Sequence, residues 1–202
     1  MLEVPLPVFE QCRPGSAPDV FIPQRAHEGD AGHDVRVYID QPAWTPAVEE
    51  LFSRYRIVPE GPAPKLLVNR EPVAQLELWE KRLRDAYGVL LLPGQGTTLP
   101  LGFKVALPEL SPPWAMTMKI VGRSGWAGVD RLCVANAPGI VDCRYREEVM
   151  ISLENRSPVP QLILNEARVG QALFEVVLSF DPRQRQGRVG AGGRGGHGST
   201  GV

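Results

Sequence analysis

In several runs of the chain, apolar and polar residues alternate with a period of two, the pattern of half-buried strands. Val149, Ile151 and Leu153 would face a core, while Glu148, Ser152 and Glu154 face out. Val35 and Val37 alternate with Arg36 and Tyr38 in the same way. Residues 1–29 read as short strands broken by proline, with Asp19–Ile22 the clearest. The pattern predicts further strands over Val89–Leu92, Thr97–Leu107, Ala115–Val121 and Pro160–Leu164, and one carrying Leu173, Val176 and Leu178. Pro93-Gly94 and Pro112-Pro113 punctuate these runs, and Asn136, Pro138 and Gly139 suit a tight hairpin turn.

Between residues 41 and 88 the period changes. Thr45-Pro46 is a good helix start, followed by Ala47, Val48, Leu51, Phe52 and Tyr55 at helical spacing. A second helix is predicted from near Pro72, with Val73, Leu76, Trp79, Leu83 and Ala86 on one face and Gly88 as its stop. Residues 61–64 read as loop and Lys65–Val68 as a short strand. The favoured reading of 41–88 is a helical hairpin packed on the side of a β domain; a lid or partner surface is the alternative. The predicted organisation is a β domain over 1–180 carrying this insertion, then a glycine-rich arm over 181–202.

Composition narrows the class. Of 202 residues, 43% are hydrophobic, enough for a core, and 21 Gly with 20 Pro favour strands and turns over a helical bundle. A net charge of −1 argues against a chain whose main partner is nucleic acid or an anionic membrane. Cys12, Cys133 and Cys143 have no ligand-like spacing, which fits a reducing compartment. The amino terminus lacks a basic, apolar leader pattern, and no run reaches spanning length, so a cytoplasmic protein is expected.

Candidate chemistry centres on Asn136-Ala-Pro-Gly-Ile-Val-Asp-Cys-Arg-Tyr-Arg-Glu-Glu-Val149. Asp142 at the lip of a turn can orient and deprotonate a water, and Tyr145 can pack flat on a sugar or base. An Asp near a turn is more often a satisfied turn residue. Three further stretches carry polar groups. Asp30-Ala-Gly-His-Asp34 puts a carboxylate at a strand start. Gly122-Arg-Ser-Gly125 can bring backbone N–H groups and a guanidinium to an anion. Arg168 and Gln171 begin the last strand.

These stretches, taken in order, resemble the five motifs of the trimeric dUTPase family. Asn136–Val149 resembles the third motif, NxxGxIDxxYRGE. Ala31-Gly-His-Asp-Val35 resembles AGYDL, with His33 where tyrosine is commoner. Gly122-Arg-Ser-Gly-Trp-Ala127 resembles PRSGLA, and Glu166–Leu173 resembles GDRIAQL. Gly195-Gly-His-Gly-Ser-Thr-Gly201 resembles RGxGGFGSTG, with His197 at the ring position. The family's arm arginine falls at Gly192, and Arg188 and Arg194 are the nearest arginines. The 41–88 insertion accounts for the long gap between the first and second motifs.

The resemblance implies an all-β jelly-roll fold, a homotrimer with shared sites, and hydrolysis of dUTP to dUMP and pyrophosphate. It implies Asp142 as the catalytic base. Substrate would be bound by Arg123, Ser124, Gly125, Asn136, Gly139, Val141, Tyr145, Arg168 and Gln171, and by Arg194, His197, Gly198, Ser199 and Thr200 of the arm. Mg2+ would be held mainly by the phosphates, with Asp34 contacting it through water. The alternatives are a dCTP deaminase of the same superfamily, a nucleotide-sensing regulatory protein using the insertion, and nucleic-acid binding through the Arg/Gly arm.

Overall fold

The computed structural model describes residues 5–13, 19–55, 66–69, 71–72 and 81–181. Its strands form four sheets. Strands β1 (Val8–Gln11) and β8 (Phe103–Ala106) pair with each other. Strand β12 (Met150–Asn155) lies between β10 (Leu132–Val134) and β7 (Gly96–Pro100). The five-stranded sheet runs β11 (Gly139–Asp142), β9 (Trp114–Gly122), β14 (Arg168–Leu178), β3 (His33–Arg36), β2 (Gln24–Arg25). The fourth sheet runs β5 (Glu71–Pro72), β4 (Leu67–Val68), β13 (Gln161–Leu164), β6 (Gly88–Leu91). The architecture is all-β and jelly-roll-like.

The alternating pattern has its expected cause. Val35, Met118, Ile120 and Ala172 enter the core from one sheet, with Val37 just past the end of β3, while Leu99, Leu132, Ile151 and Leu153 enter it from another, all nearly inaccessible to water. Burying each of the larger aliphatic side chains contributes about 1.5–3 kcal/mol, so the two facing sheets are held mainly by this layer.

The 41–88 stretch contributes to a second, smaller core, with Ala43, Val48, Leu66, Val68 and Leu83 packed on Leu162 of β13. Helix α1 (Pro46–Tyr55) starts as expected: Thr45 Oγ1 accepts the Val48 N–H at 3.4 Å, and Pro46 occupies the first helical position. Ala47, expected on the buried face, is exposed. Strand β4 pairs in parallel with β13, so this stretch extends a sheet as well as packing on it. Pro72 does not open a helix; it lies in β5, whose Glu71 and Pro72 pair with Val68 and Leu67. Residues 81–84 are helical, while 73–80 lie outside the described residues.

Three further expectations are corrected. Asp19–Ile22 is a turn, closed by Ile22 N–H donating to the Asp19 carbonyl at 3.1 Å. Phe21 is buried there because it covers Gly102 and meets the edge of Tyr38, which explains its apolar character without a strand. The run Thr97–Leu107 divides into β7 and β8 at Gly102, whose φ of +76° breaks the extended chain. The Asn136–Gly139 turn joins β10 and β11, which lie in different sheets, so it is a crossing between layers and not a hairpin.

Candidate functional site

Strands β3, β9 and β14 bring three of the polar stretches together. The antiparallel register places Gln171 opposite Asp34, and Gln171 also pairs with Val121, two residues before Arg123. Asp34 is buried, at 7% exposure, and its carboxylate is fully engaged. Arg123 Nε lies 3.2 Å from Oδ1 and Arg168 Nη1 lies 3.2 Å from Oδ2. Gln171 Nε2 donates to Oδ1 at 3.3 Å. Arg123 Nη1 also donates to the Arg168 carbonyl at 3.2 Å, which ties the two arginines to each other. A Cβ on Gly32 would stand 3.0 Å from Gln171 Oε1, so the glycine leaves room for the amide.

One buried carboxylate orients two guanidiniums and leaves a positive surplus at the surface. The cluster opens onto a cavity of about 320 Å³ that Arg36 and Asn69 also line. Such an arrangement suits a multiply charged anion, which guanidiniums bind with charge-assisted hydrogen bonds. Next to it, β9 ends at Gly122 and the chain enters a π-helical turn, Gly125–Val129. Trp126 buries its ring in the main core at 3% exposure and anchors the turn, leaving Ser124 exposed beside Arg123.

Asp142 ends β11 opposite Thr117 and is exposed. The Tyr145 N–H donates to the Asp142 carbonyl at 3.0 Å, and the Tyr145 hydroxyl donates to the Glu148 carbonyl at 2.8 Å. The ring is therefore tied at both ends within one turn. Val141 is buried, and its carbonyl accepts the Thr117 hydroxyl at 3.0 Å. The Asn136 side chain lies over Gly139, 3.4 Å from where a Cβ would stand. A groove of about 480 Å³ runs beside Asp142, walled by Thr117, Cys143, Arg144, Leu178 and Phe180.

The two clusters do not meet within the chain. Asp142 pairs with Thr117 and Arg123 follows Gly122 on the same strand, a separation of about 20 Å at the rise of an extended chain. Arg194, His197, Gly198, Ser199 and Thr200 lie outside the described residues. Among the described residues no group of three His, Cys, Asp or Glu side chains could hold a metal ion, and no helix is long and apolar enough to cross a membrane.

Several ordered polar groups escaped the sequence reading. Glu148 accepts the Gly102 N–H at 3.1 Å and Arg13 Nη2 at 2.6 Å. Asn155, at 0% exposure, donates to the Leu91 and Val159 carbonyls and accepts from Ser157 and Gln161. Burial and the nearby Glu148 charge push the Cys12 thiol above its ordinary value. Glu148 and Asn155 sit at the ends of a regular alternating run, where period alone does not separate a solvated polar residue from a paired one. The Glu of the YRGE pattern was the only available signal for Glu148.

The all-β architecture is shared with solved dUTPases. A dUTPase of Staphylococcus bacteriophage 80alpha, solved with dUpNHpp, superposes with a TM-score of 0.62 at 15% identity, over 98% of this chain and 99% of that one. A dUTPase of phage phi11 of S. aureus, solved in a form that reveals coordination of a structural Mg(II) ion, gives 0.54 at 13% identity, over 93% and 100%. No family model matches the chain. In sequence, the deoxyuridine 5'-triphosphate nucleotidohydrolase of Mesorhizobium japonicum is 36% identical over 119 residues, covering 58% of this chain and 71% of the relative. That of Mycolicibacterium vanbaalenii is 35% identical over 128 residues, covering 59% and 79%. The chain belongs to the deoxyuridine 5'-triphosphate nucleotidohydrolase family.

Proposed function

We propose that the protein hydrolyses dUTP to dUMP and pyrophosphate, removing a precursor of uracil in DNA and supplying dUMP for thymidylate synthesis. The observation that carries the reading is the convergence of Asp34, Arg123, Arg168 and Gln171, three sequence motifs apart in the chain, into one anion-ready cluster. Asp142, exposed at its strand end, takes a proton from a water that attacks the α-phosphorus in line. The bond from that phosphorus to the bridging oxygen breaks, and pyrophosphate leaves. Arg123, Ser124, Gly125, Arg168 and Gln171 hold the phosphates and offset charge on the departing group. Arg194, His197, Gly198, Ser199 and Thr200 of the arm complete the enclosure.

Tyr145 packs on the deoxyribose and leaves no room for a 2′-hydroxyl. Asn136 and the backbone of Gly139 and Val141 pair with the uracil edge and reject cytosine by leaving buried polar groups unpaired. The donor set fits a magnesium ion carried by the triphosphate: both Asp34 oxygens are already engaged, so that carboxylate reaches a cation only through water. When bound, the ion offsets phosphate charge.

A water-activating carboxylate must stand within hydrogen-bond reach of its water. With Asp142 and Arg123 about 20 Å apart along β9, one nucleotide meets both only if they come from different copies. Trp114, Val176, Leu178 and Phe180, all substantially exposed, form an apolar surface near the Asp142 groove that a second copy can cover. These features support sites shared between copies, and the assembly in this reading is a homotrimer.

The test is pyrophosphate release from dUTP, dCTP, dTTP and UTP with magnesium, comparing the intact protein with Asp142→Asn. Release from dUTP alone, abolished by the substitution, is expected. No release by folded protein would overturn the reading, and ammonia released from dCTP would favour a deaminase.

A further inference from the structure

The carboxylate of Glu148 occupies a junction between two parts of the fold. One oxygen accepts the N–H of Gly102, the residue that separates β7 from β8; the other accepts Arg13 Nη2 from the segment after β1. Both sides of this junction are held by further contacts. The Gly102 carbonyl accepts the Cys12 N–H at 2.8 Å, while Leu101 and Phe103 are bonded through the backbone to Val149. The Arg13 guanidinium lies 4.2 Å from the centroid of the Tyr38 ring, and Phe21 packs its ring against Tyr38 and over Gly102. The other side of Glu148 faces the catalytic turn, since its carbonyl receives the Tyr145 hydroxyl at 2.8 Å.

We infer that Glu148, braced by Arg13 and Gly102, is a positioning residue that fixes the Tyr145 ring and thereby sets discrimination between deoxyribose and ribose nucleotides. The inference rests on the proposed dUTP hydrolysis. Its physical content is that a ring excluding a single hydroxyl must be held to a fraction of an ångström. Tyr145 is partly exposed, at 36%, and its hydroxyl is fixed by the bond to the Glu148 carbonyl. The phenol is only as fixed as the carbonyl that receives it. Glu148 ties that carbonyl's residue to two other parts of the fold.

The experiment measures kcat and KM for dUTP and UTP in the intact protein, Glu148→Ala, Glu148→Gln and Arg13→Gln. Glu148→Ala should lower the dUTP-to-UTP ratio of kcat/KM roughly tenfold, with the loss falling on KM for dUTP more than on kcat. Glu148→Gln keeps an acceptor for the Gly102 N–H and should recover most of the ratio. Arg13→Gln should fall between them. A merely structural role would lower thermal stability without moving the ratio. An unchanged ratio in Glu148→Ala therefore overturns the inference. If that variant does not fold, an unchanged ratio in Arg13→Gln overturns it instead. The underlying reading fails separately, if the intact protein leaves dUTP unhydrolysed.

Discussion

Gln171 stands directly opposite Asp34 in the register of β14 and β3, and its amide donates to the Asp34 carboxylate at 3.3 Å. The pairing explains why a glycine is needed at position 32. In Gly32→Ala the new Cβ would press on Gln171 Oε1 at 3.0 Å, and that amide is the mobile end of a side chain. The amide should swing away at a stability cost of about 1 kcal/mol or less, measured by urea denaturation. KM for dUTP should rise several-fold, because the phosphate cluster loses its alignment. A large stability loss with unchanged kinetics would contradict this account.

The separation between Asp142 and Arg123 gives a complementation prediction. Asp142→Asn and Arg123→Ala should each be nearly inactive alone. Co-refolded in equal amounts, they should recover about a quarter of the wild-type rate, since that fraction of shared sites draws one intact group from each variant. A mixture as inactive as its components would place both groups in one chain's site.

At Gly102 backbone and packing make the same demand. Its φ is +76°, and a Cβ would stand 2.5 Å from Phe21 Cγ. Gly102→Ala should cost about 3 kcal/mol or more, read as a lower urea midpoint. A smaller residue at 21, as in Phe21→Leu, should relieve part of that cost in the double variant.

Cys12 offers a pH reading independent of turnover. Burial and the Glu148 charge raise its pKa, so the folded chain holds the thiol proton more tightly than the unfolded chain does. The sign follows: this contribution to stability is complete below the ordinary thiol value of 9.0 and is lost as pH rises through the higher folded value. Cys12 should react slowly with iodoacetamide at pH 8 in the folded protein, and faster in Glu148→Gln, where the neighbouring charge is gone. Mass spectrometry of the labelled peptide distinguishes the two outcomes.

The strands that face the main core were legible because their apolar residues recur every second position. Val35, Val37, Ile151 and Leu153 are buried as that period requires. Asp19–Ile22 misled because its one buried residue, Phe21, is apolar for a distant partner, Gly102, and period-two reasoning sees only neighbours in sequence. Asn136–Gly139 announced a turn correctly, but turn residues carry no information about which strands will pair. The site was legible as motifs and not as geometry. Arg123, Arg168 and Gln171 were expected to bind substrate, but only the register of β3, β9 and β14 reveals that Asp34 gathers all three. The bond from Glu148 to Gly102 lay beyond reach for the same reason.

Strand β4 pairs in parallel with Gln161 and Leu162 of β13, so residues 41–88 cover an edge that β13 would otherwise leave open. Excising them would strip that edge of its partner and uncover Leu162, now 1% exposed. Bare strand edges recruit strands from other molecules. A trimmed chain would therefore gain a tendency to polymerise. Guarding that edge gives residues 41–88 a role in solubility, before any regulatory one.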